Sequence, residues 1–340
     1  MTTRGKNTFY GWFLGIIGWG VLFVISLWVA FELYNPYAWN KRAGKPYQTV
    51  RWVNPGIVGI PNNIFVQYNN IGCVGPHYEA ETDTDRIFFV GSSTTKNALT
   101  PFDKQWMSVA MRGIPAWYNS VGVNGTSARE WTEMVLSLKA YKPKYIVVLF
   151  AVGKQKKPPR LWREPFTRLS WLRETALMKS LVLPFVESIR NGNKDNDMKI
   201  VRWREIPERT QPDKMVDTLH VTTMIKEASW LIDEIRNIGA TPILISQPTP
   251  FGQYMADGRD VGKMVDSDYI DGIYKQLSMR LKILCLQKEV NFIDGYTFPK
   301  SFEYYYDIEH FNIHGNIQFG EYIHDSLRQY ITVREENKNN

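Results

Sequence analysis

From residue 86 onward the chain repeats one alternation, a short apolar run followed by a stretch with helical periodicity. "RIFFV" (86–90) precedes "FDKQWMSVAMRG", "AWYNSVGV" precedes "SAREWTEMVLSLKAY", and "KYIVVLFAV" closes the first half. The order resumes after residue 220 with a helix at "TTMIKEASWLIDEIRNIG", a strand at "TPILIS", a long helix over about 266–289, a short strand at "NFID" and a last helix over about 313–331. Strands separated by amphipathic helices pair in parallel, because each helix carries the chain back across the sheet before the next strand begins. The expected architecture is a three-layer α/β domain on a parallel sheet, covering residues 85–334.

Ahead of it, "WFLGIIGWGVLFVISLWVAF" (12–31) is an uncharged stretch of about twenty residues, the length a helix needs to cross a hydrocarbon core. A secretory signal peptide has a shorter apolar region and a small-residue cleavage site, and nothing after Ala30 supplies one convincingly. Residues 1–33 are therefore expected to be a tail and transmembrane anchor, which puts the chain in the cytoplasmic membrane with a single span. Charge does not decide the orientation: Arg4 and Lys6 precede the segment, and Lys41, Arg42, Lys45 and Arg51 follow it. Gly11, Gly15 and Gly18 would let a partner membrane helix approach closely. Residues 34–84, rich in Asn, Pro, Gly and Tyr, show no sustained period and read as an extended lead-in packed on the domain; the polar tail 335–340 is expected to fray.

The net charge is +7, and its surplus is concentrated, since residues 153–214 hold fifteen Lys or Arg against eight Asp or Glu. This stretch lies in an insertion, 153–220, between the two halves of the domain, with Leu169, Leu172, Ala176 and Leu177 near helical spacing. It reads either as a cap with its charges in water or as a surface for anionic lipid headgroups or an acidic glycan. No RNA-binding pattern or helix-turn-helix is present, so no nucleic-acid partner is expected. Cys73 and Cys285 are the only cysteines, without CxxC or His-rich spacing, so no metal site is expected. Cys285, inside "LKILCLQ", reads as a small apolar helix residue, with a disulfide to Cys73 the alternative in an oxidising compartment. A P-loop is excluded by the absence of GxxxxGK[ST], and no cofactor is expected.

In a parallel sheet, ligands bind beyond the carboxyl ends of the strands, and three strand-ending segments carry small or polar residues. "RIFFV" delivers Gly91, Ser92, Ser93 and Thr94 into a strand-to-helix turn, where a serine hydroxyl is exposed and backbone N–H groups are available to an oxyanion; the same residues also suit a plain helix cap. "NSVGVNGTSARE" places Gly122 and Gly125 after the next strand, where glycine lets the backbone come close to a reacting atom or simply makes a tight turn. "YDIEHFNIHGN" sets Asp307 three residues before His310, just ahead of the final helix. A serine nucleophile needs a base, and an imidazole needs an acceptor on its other nitrogen to fix its tautomer; an Asp-x-x-His turn can supply both.

Together these three segments resemble the SGNH (GDSL-like) hydrolase superfamily over roughly residues 65–333, with the basic segment as an insertion. "FFVGSSTT" resembles the family's first block and places the nucleophile at Ser93. "VGVNGTS" resembles the second, whose glycine N–H joins the oxyanion hole, with Gly125 the best match. "DIEHFNIHGN" resembles the last, in which Asp307 orients His310. The third block departs: where the family has Gly-x-Asn, "VVLFAVGKQKK" offers Gly153, Lys154 and Gln155, leaving Gln155 as the candidate side-chain donor. The resemblance implies a flavodoxin-like, SGNH-type domain and a serine esterase or O-acyltransferase. Similarity to anchored members extends this to acetyl groups on an envelope polysaccharide, with the domain outside the cytoplasmic membrane. The alternative is an SGNH-fold scaffold without catalysis, docked to a larger membrane complex.

Overall fold

The computed structural model describes residues 18–24, 26, 44, 46–151 except 55, 58 and 82, then 198–200, 218–251, and 267–336 except 308. The chain divides into two units, residues 1–41 with 157–194 and residues 42–156 with 195–340. In the first, residues 18–24 and 26 are helical, with Trp19, Leu22 and Phe23 exposed. Among the described residues no helix is long and apolar enough to cross a membrane, and most of the expected anchor at 12–31 lies outside them. So does nearly all of the basic segment 153–214.

Among the described residues the second unit holds two sheets. In the smaller, β1 (Thr49–Val53) pairs antiparallel with β2 (Asn63–Gln67) and parallel with β6 (Met198–Ile200). Residues 34–84 thus contribute two strands, and their alternating burial shows one face packed and one solvated. The larger sheet contains β3 (Arg86–Gly91), β4 (Trp117–Ser120), β5 (Tyr145–Phe150), β7 (Thr241–Ser246) and β8 (Asn291–Ile293) in the order β4-β3-β5-β7-β8. Every neighbouring pair is parallel. β3 and β5 are buried throughout, as unbroken apolar runs must be when helices cover both faces.

The described α-helices of this unit are α1 (Ser93–Lys96), α2 (Trp106–Ala110), α3 (Ala128–Leu138), α4 (Thr218–Asn237), α5 (Ser267–Gln287) and α6 (Ile313–Glu336). Strand side chains alternate between the two faces. Ile87, Phe89, Val147, Leu149, Ile243 and Ile245 point to one face and pack with Trp106 and Met107 of α2 and Phe319 and Ile323 of α6. The alternate residues point the other way: Phe150 meets Trp131 of α3 edge-on at 5.4 Å, and Ser246 accepts a hydrogen bond from Ser278 of α5 at 2.9 Å. The fold is α/β with a parallel sheet between two helical layers.

The lead-in has its own apolar cluster, with Val50, Ile64, Val66 and Tyr68 buried, and this cluster includes Leu99 beyond α1 and takes in Tyr306 before the last helix. It therefore packs on the two turns where chemistry was expected. A buried pair, Asn69 and Asn119 at 2.6 Å, fastens it to β4, with both side-chain amides donating to the Pro76 carbonyl. Cys73 and Cys285 are both buried and free.

Candidate active site

β3 ends at Gly91 and the chain turns at once into α1, whose first residue is Ser93. Ser92 stays extended (φ −87°, ψ −154°), and its carbonyl accepts the Thr95 and Lys96 amides at 3.1 and 3.0 Å. Helix geometry leaves the first amides of α1 without a carbonyl in the helix. Ser93 thus presents its hydroxyl and its own N–H at the carboxyl edge of the sheet.

The Asp307–His310 turn comes from the opposite end of the sequence. Asp307 Oδ1 accepts the backbone N–H groups of Glu309 at 2.8 Å and His310 at 2.7 Å, which fixes the turn before the ring is placed. His310 Nδ1 then lies 2.8 and 2.7 Å from the two Asp307 oxygens, and Nε2 lies 2.7 Å from Ser93 Oγ. With the carboxylate as acceptor, Nδ1 carries the proton and Nε2 is left to receive one from the serine. Asp307 and His310 are buried, at 6% and 7% exposure, while Ser93 is half-buried, so the serine end of this chain of contacts opens outward. Burial alone would raise the Asp307 carboxyl; the hydrogen bond from the His310 ring, its charge and the two backbone N–H groups outweigh that and hold the carboxyl below its ordinary value of 3.8.

Residues that the sequence did not single out hold this geometry. Tyr306 stacks on the His310 ring at 5.5 Å between centroids and 14° between planes. Asn316, fully buried in α6, accepts the Trp106 backbone N–H at 3.1 Å and donates to the Asn312 carbonyl at 3.0 Å; Trp106 Nε1 donates to the Thr94 carbonyl at 3.1 Å. One path, Thr94 to Trp106 to Asn316, therefore connects the serine turn to the helix that follows the histidine turn. The available signal was the Asn at the start of a helix otherwise apolar on its inner face.

Gly125 sits in the turn before α3 at φ +70°, and Gly122 lies directly against α1. Gln155, with Gly153 and Lys154, lies outside the described residues. Among the described residues no group of His, Cys, Asp and Glu could hold a metal ion. His324, on α6, donates from Nδ1 to the Ala110 carbonyl at 2.9 Å, and His314 packs on Tyr304, so neither ring joins the site.

No protein-family model matches the chain, and no curated protein sequence matches it. Similar folds occur among solved structures. One is a protein from Desulfitobacterium hafniense described as lipolytic and of the G-D-S-L family, at 10% identity and a TM-score of 0.41, covering 71% of this chain and 98% of that one. Two others are the aryl esterase of M. smegmatis, at 12% identity and TM-score 0.43 over 72% and 99% of the two chains, and Est24, a carbohydrate acetylesterase from Sinorhizobium meliloti, at 12% and 0.42 over 72% and 98%. Likeness at this level does not transfer chemistry, which has to be read from the residues of the site.

Proposed function

We propose that the protein is a serine acyl-ester hydrolase or O-acyltransferase of SGNH type, with Ser93 as nucleophile, His310 as general base and then general acid, and Asp307 holding the imidazole. The observation that carries this reading is the unbroken chain of short contacts from Asp307 through His310 to Ser93 Oγ. Ser93 Oγ attacks the ester carbonyl while its proton passes to His310 Nε2. The tetrahedral oxyanion is held by the Ser93 N–H, the Gly125 N–H and Gln155. Collapse expels the alcohol, which takes the proton from His310, and leaves an acyl-serine; water or a sugar hydroxyl then attacks this with His310 again as base. Water gives hydrolysis and a sugar hydroxyl gives transfer.

The substrate in this reading is an acetylated envelope polysaccharide. The chain is anchored in the cytoplasmic membrane through residues 12–31 with the domain outside, and the basic segment 153–214 faces anionic glycan or lipid headgroups. The uncharged length of 12–31 and the exposed Trp19, Leu22 and Phe23 support the anchor. Acetyl-ester hydrolysis by the full chain in detergent tests the chemistry. Loss by at least roughly a thousandfold in both Ser93→Ala and His310→Ala is expected, and retention of activity in either variant would refute the reading. A periplasmic reporter fused after Asn340 tests the orientation: activity only from a cytoplasmic reporter would refute it.

A further inference from the structure

Gln247 is the first residue beyond β7 and is 4% exposed, yet its side-chain Oε1 is buried with no hydrogen-bond partner. A buried, unpaired amide oxygen is destabilising, so native chains place one where something else supplies the donor. Its position in the sheet says where that donor comes from. Gly91 and Ile245 both pair with Leu149, which sets them two strand spacings, about 10 Å, apart. The ladder continues past the strand ends, since the Gln247 N–H donates to the Phe150 carbonyl at 3.2 Å. Two residues beyond Gly91 stands Ser93, and two beyond Ile245 stands Gln247, with the small residue Ala151 just past the end of the strand between.

The face is also fixed. Leu149 and Ile245 point toward α2 and α6, whereas Ser246 points away and bonds Ser278 of α5. Alternation turns Gln247 back to the α6 side, the side from which the Asp307–His310 turn leads into α6. The loop after Gln247 is tied to that turn, for Phe251 lies 6.4 Å from the Tyr274 ring, and the Tyr274 phenol is raised by burial and then by the Glu309 and Asp307 carboxylates. On the same side Tyr305, two residues before Asp307, holds a second buried hydroxyl without a partner.

We infer that Gln247 is a specificity-determining residue: its free Oε1 accepts a hydrogen bond from a hydroxyl adjacent to the ester being cleaved at Ser93. The substrate class this selects is a partly acetylated sugar with a free neighbouring hydroxyl, which deepens the proposed hydrolase or transferase reading and rests on it. An ester lacking that donor leaves the amide oxygen unpaired and is disfavoured.

The test uses the full chain in detergent with two probes, a mono-O-acetylated methyl glucoside with free hydroxyls and its otherwise O-methylated counterpart. The wild type should favour the free sugar in kcat/KM by about 10- to 100-fold, and Gln247→Met should bring that ratio to near one without lowering the melting temperature. Equal preference in both proteins overturns the inference, as does a Gln247→Met variant that melts lower and loses both substrates alike, the behaviour of an amide that bridges to structural water. If the wild type cleaves neither probe, titration calorimetry of Ser93→Ala with the free sugar decides: binding abolished by adding Gln247→Met upholds the role of Gln247. No binding by Ser93→Ala overturns it, while cleavage of an aryl acetate would leave the hydrolase reading intact.

Discussion

Gly122 lies against the backbone of Lys96: a Cβ built on it would sit 2.3 Å from the Lys96 amide nitrogen and 2.7 Å from the Thr95 carbonyl carbon. Those atoms belong to α1, the four-residue helix that begins with Ser93. The glycine thus sets how closely β4's exit passes the nucleophile turn. Gly125, three residues on, is the opposite case, with φ +70° and open space around its Cβ position.

Gly122→Ala is therefore expected to push α1 outward and lower both stability and turnover, with an overpacking cost of about 1–3 kcal/mol or more. Gly125→Ala should cost only the left-handed conformation, about 1–2 kcal/mol. Melting temperatures and acetyl-ester kcat values for the two variants check this. A Gly122→Ala variant as stable and active as the wild type would show that α1 is not held by this contact.

Asn316 makes the second connection to the site. Replacing it with Ala removes the acceptor of the Trp106 N–H and the donor to Thr100 Oγ1, both buried, at a cost of roughly 1–3 kcal/mol for each group left unpaired. Because Asn316 positions and touches no reacting atom, kcat should fall while KM for a small acetate ester changes little. A change in KM alone would contradict the positioning role.

The parallel order of the large sheet was legible because β3, β5 and β7 are buried on both faces and so appear as unbroken apolar runs. "TPILIS" marks β7 to the residue. The lead-in was read as having no sustained period, although "NIFVQ" alternates over five residues with burial on every second one. Five residues are too few for periodicity to stand out among Asn, Gly and Pro, and the strand exists because β1 pairs with it and α1's flank covers it. That Ser93 meets the Asp307–His310 turn was open to expectation from the sequence, because a hydroxyl at a strand end and an Asp-x-x-His turn ahead of the last helix are distinctive side-chain patterns. Trp106 and Asn316 were not legible, since the hydrogen bond that joins them spans more than two hundred residues, and Tyr306 was not, since it acts by stacking on the His310 ring; no local pattern records either.

The thiols give a prediction about the whole second unit. Burial pushes the Cys285 thiol up to about 12 and the Cys73 thiol well above its ordinary range, so neither is a thiolate at neutral pH. Ellman's reagent at pH 8 should label no cysteine in the native chain and two after denaturation without reductant. Two that appear only after reduction would show a disulfide instead.

Asp307 links the site to acid stability. Its carboxyl is held below 3.8 in the folded chain, with the desolvation cost outweighed by the His310 ring and the two backbone N–H groups. A depressed folded value means the unfolded chain binds the proton more readily, so the stabilisation is complete above 3.8 and is lost as pH falls through the lower folded value. Asp307→Asn removes this carboxylate, and the difference in urea midpoint between wild type and variant should shrink as pH falls below about 4. The same variant should lose roughly ten-thousandfold in kcat at neutral pH, the effect of presenting the wrong imidazole tautomer in a serine triad. A stability gap that stays level or widens as pH falls below about 4 would mean that Asp307 is not the ionised partner of His310, and the proton path to Ser93 would then need another acceptor.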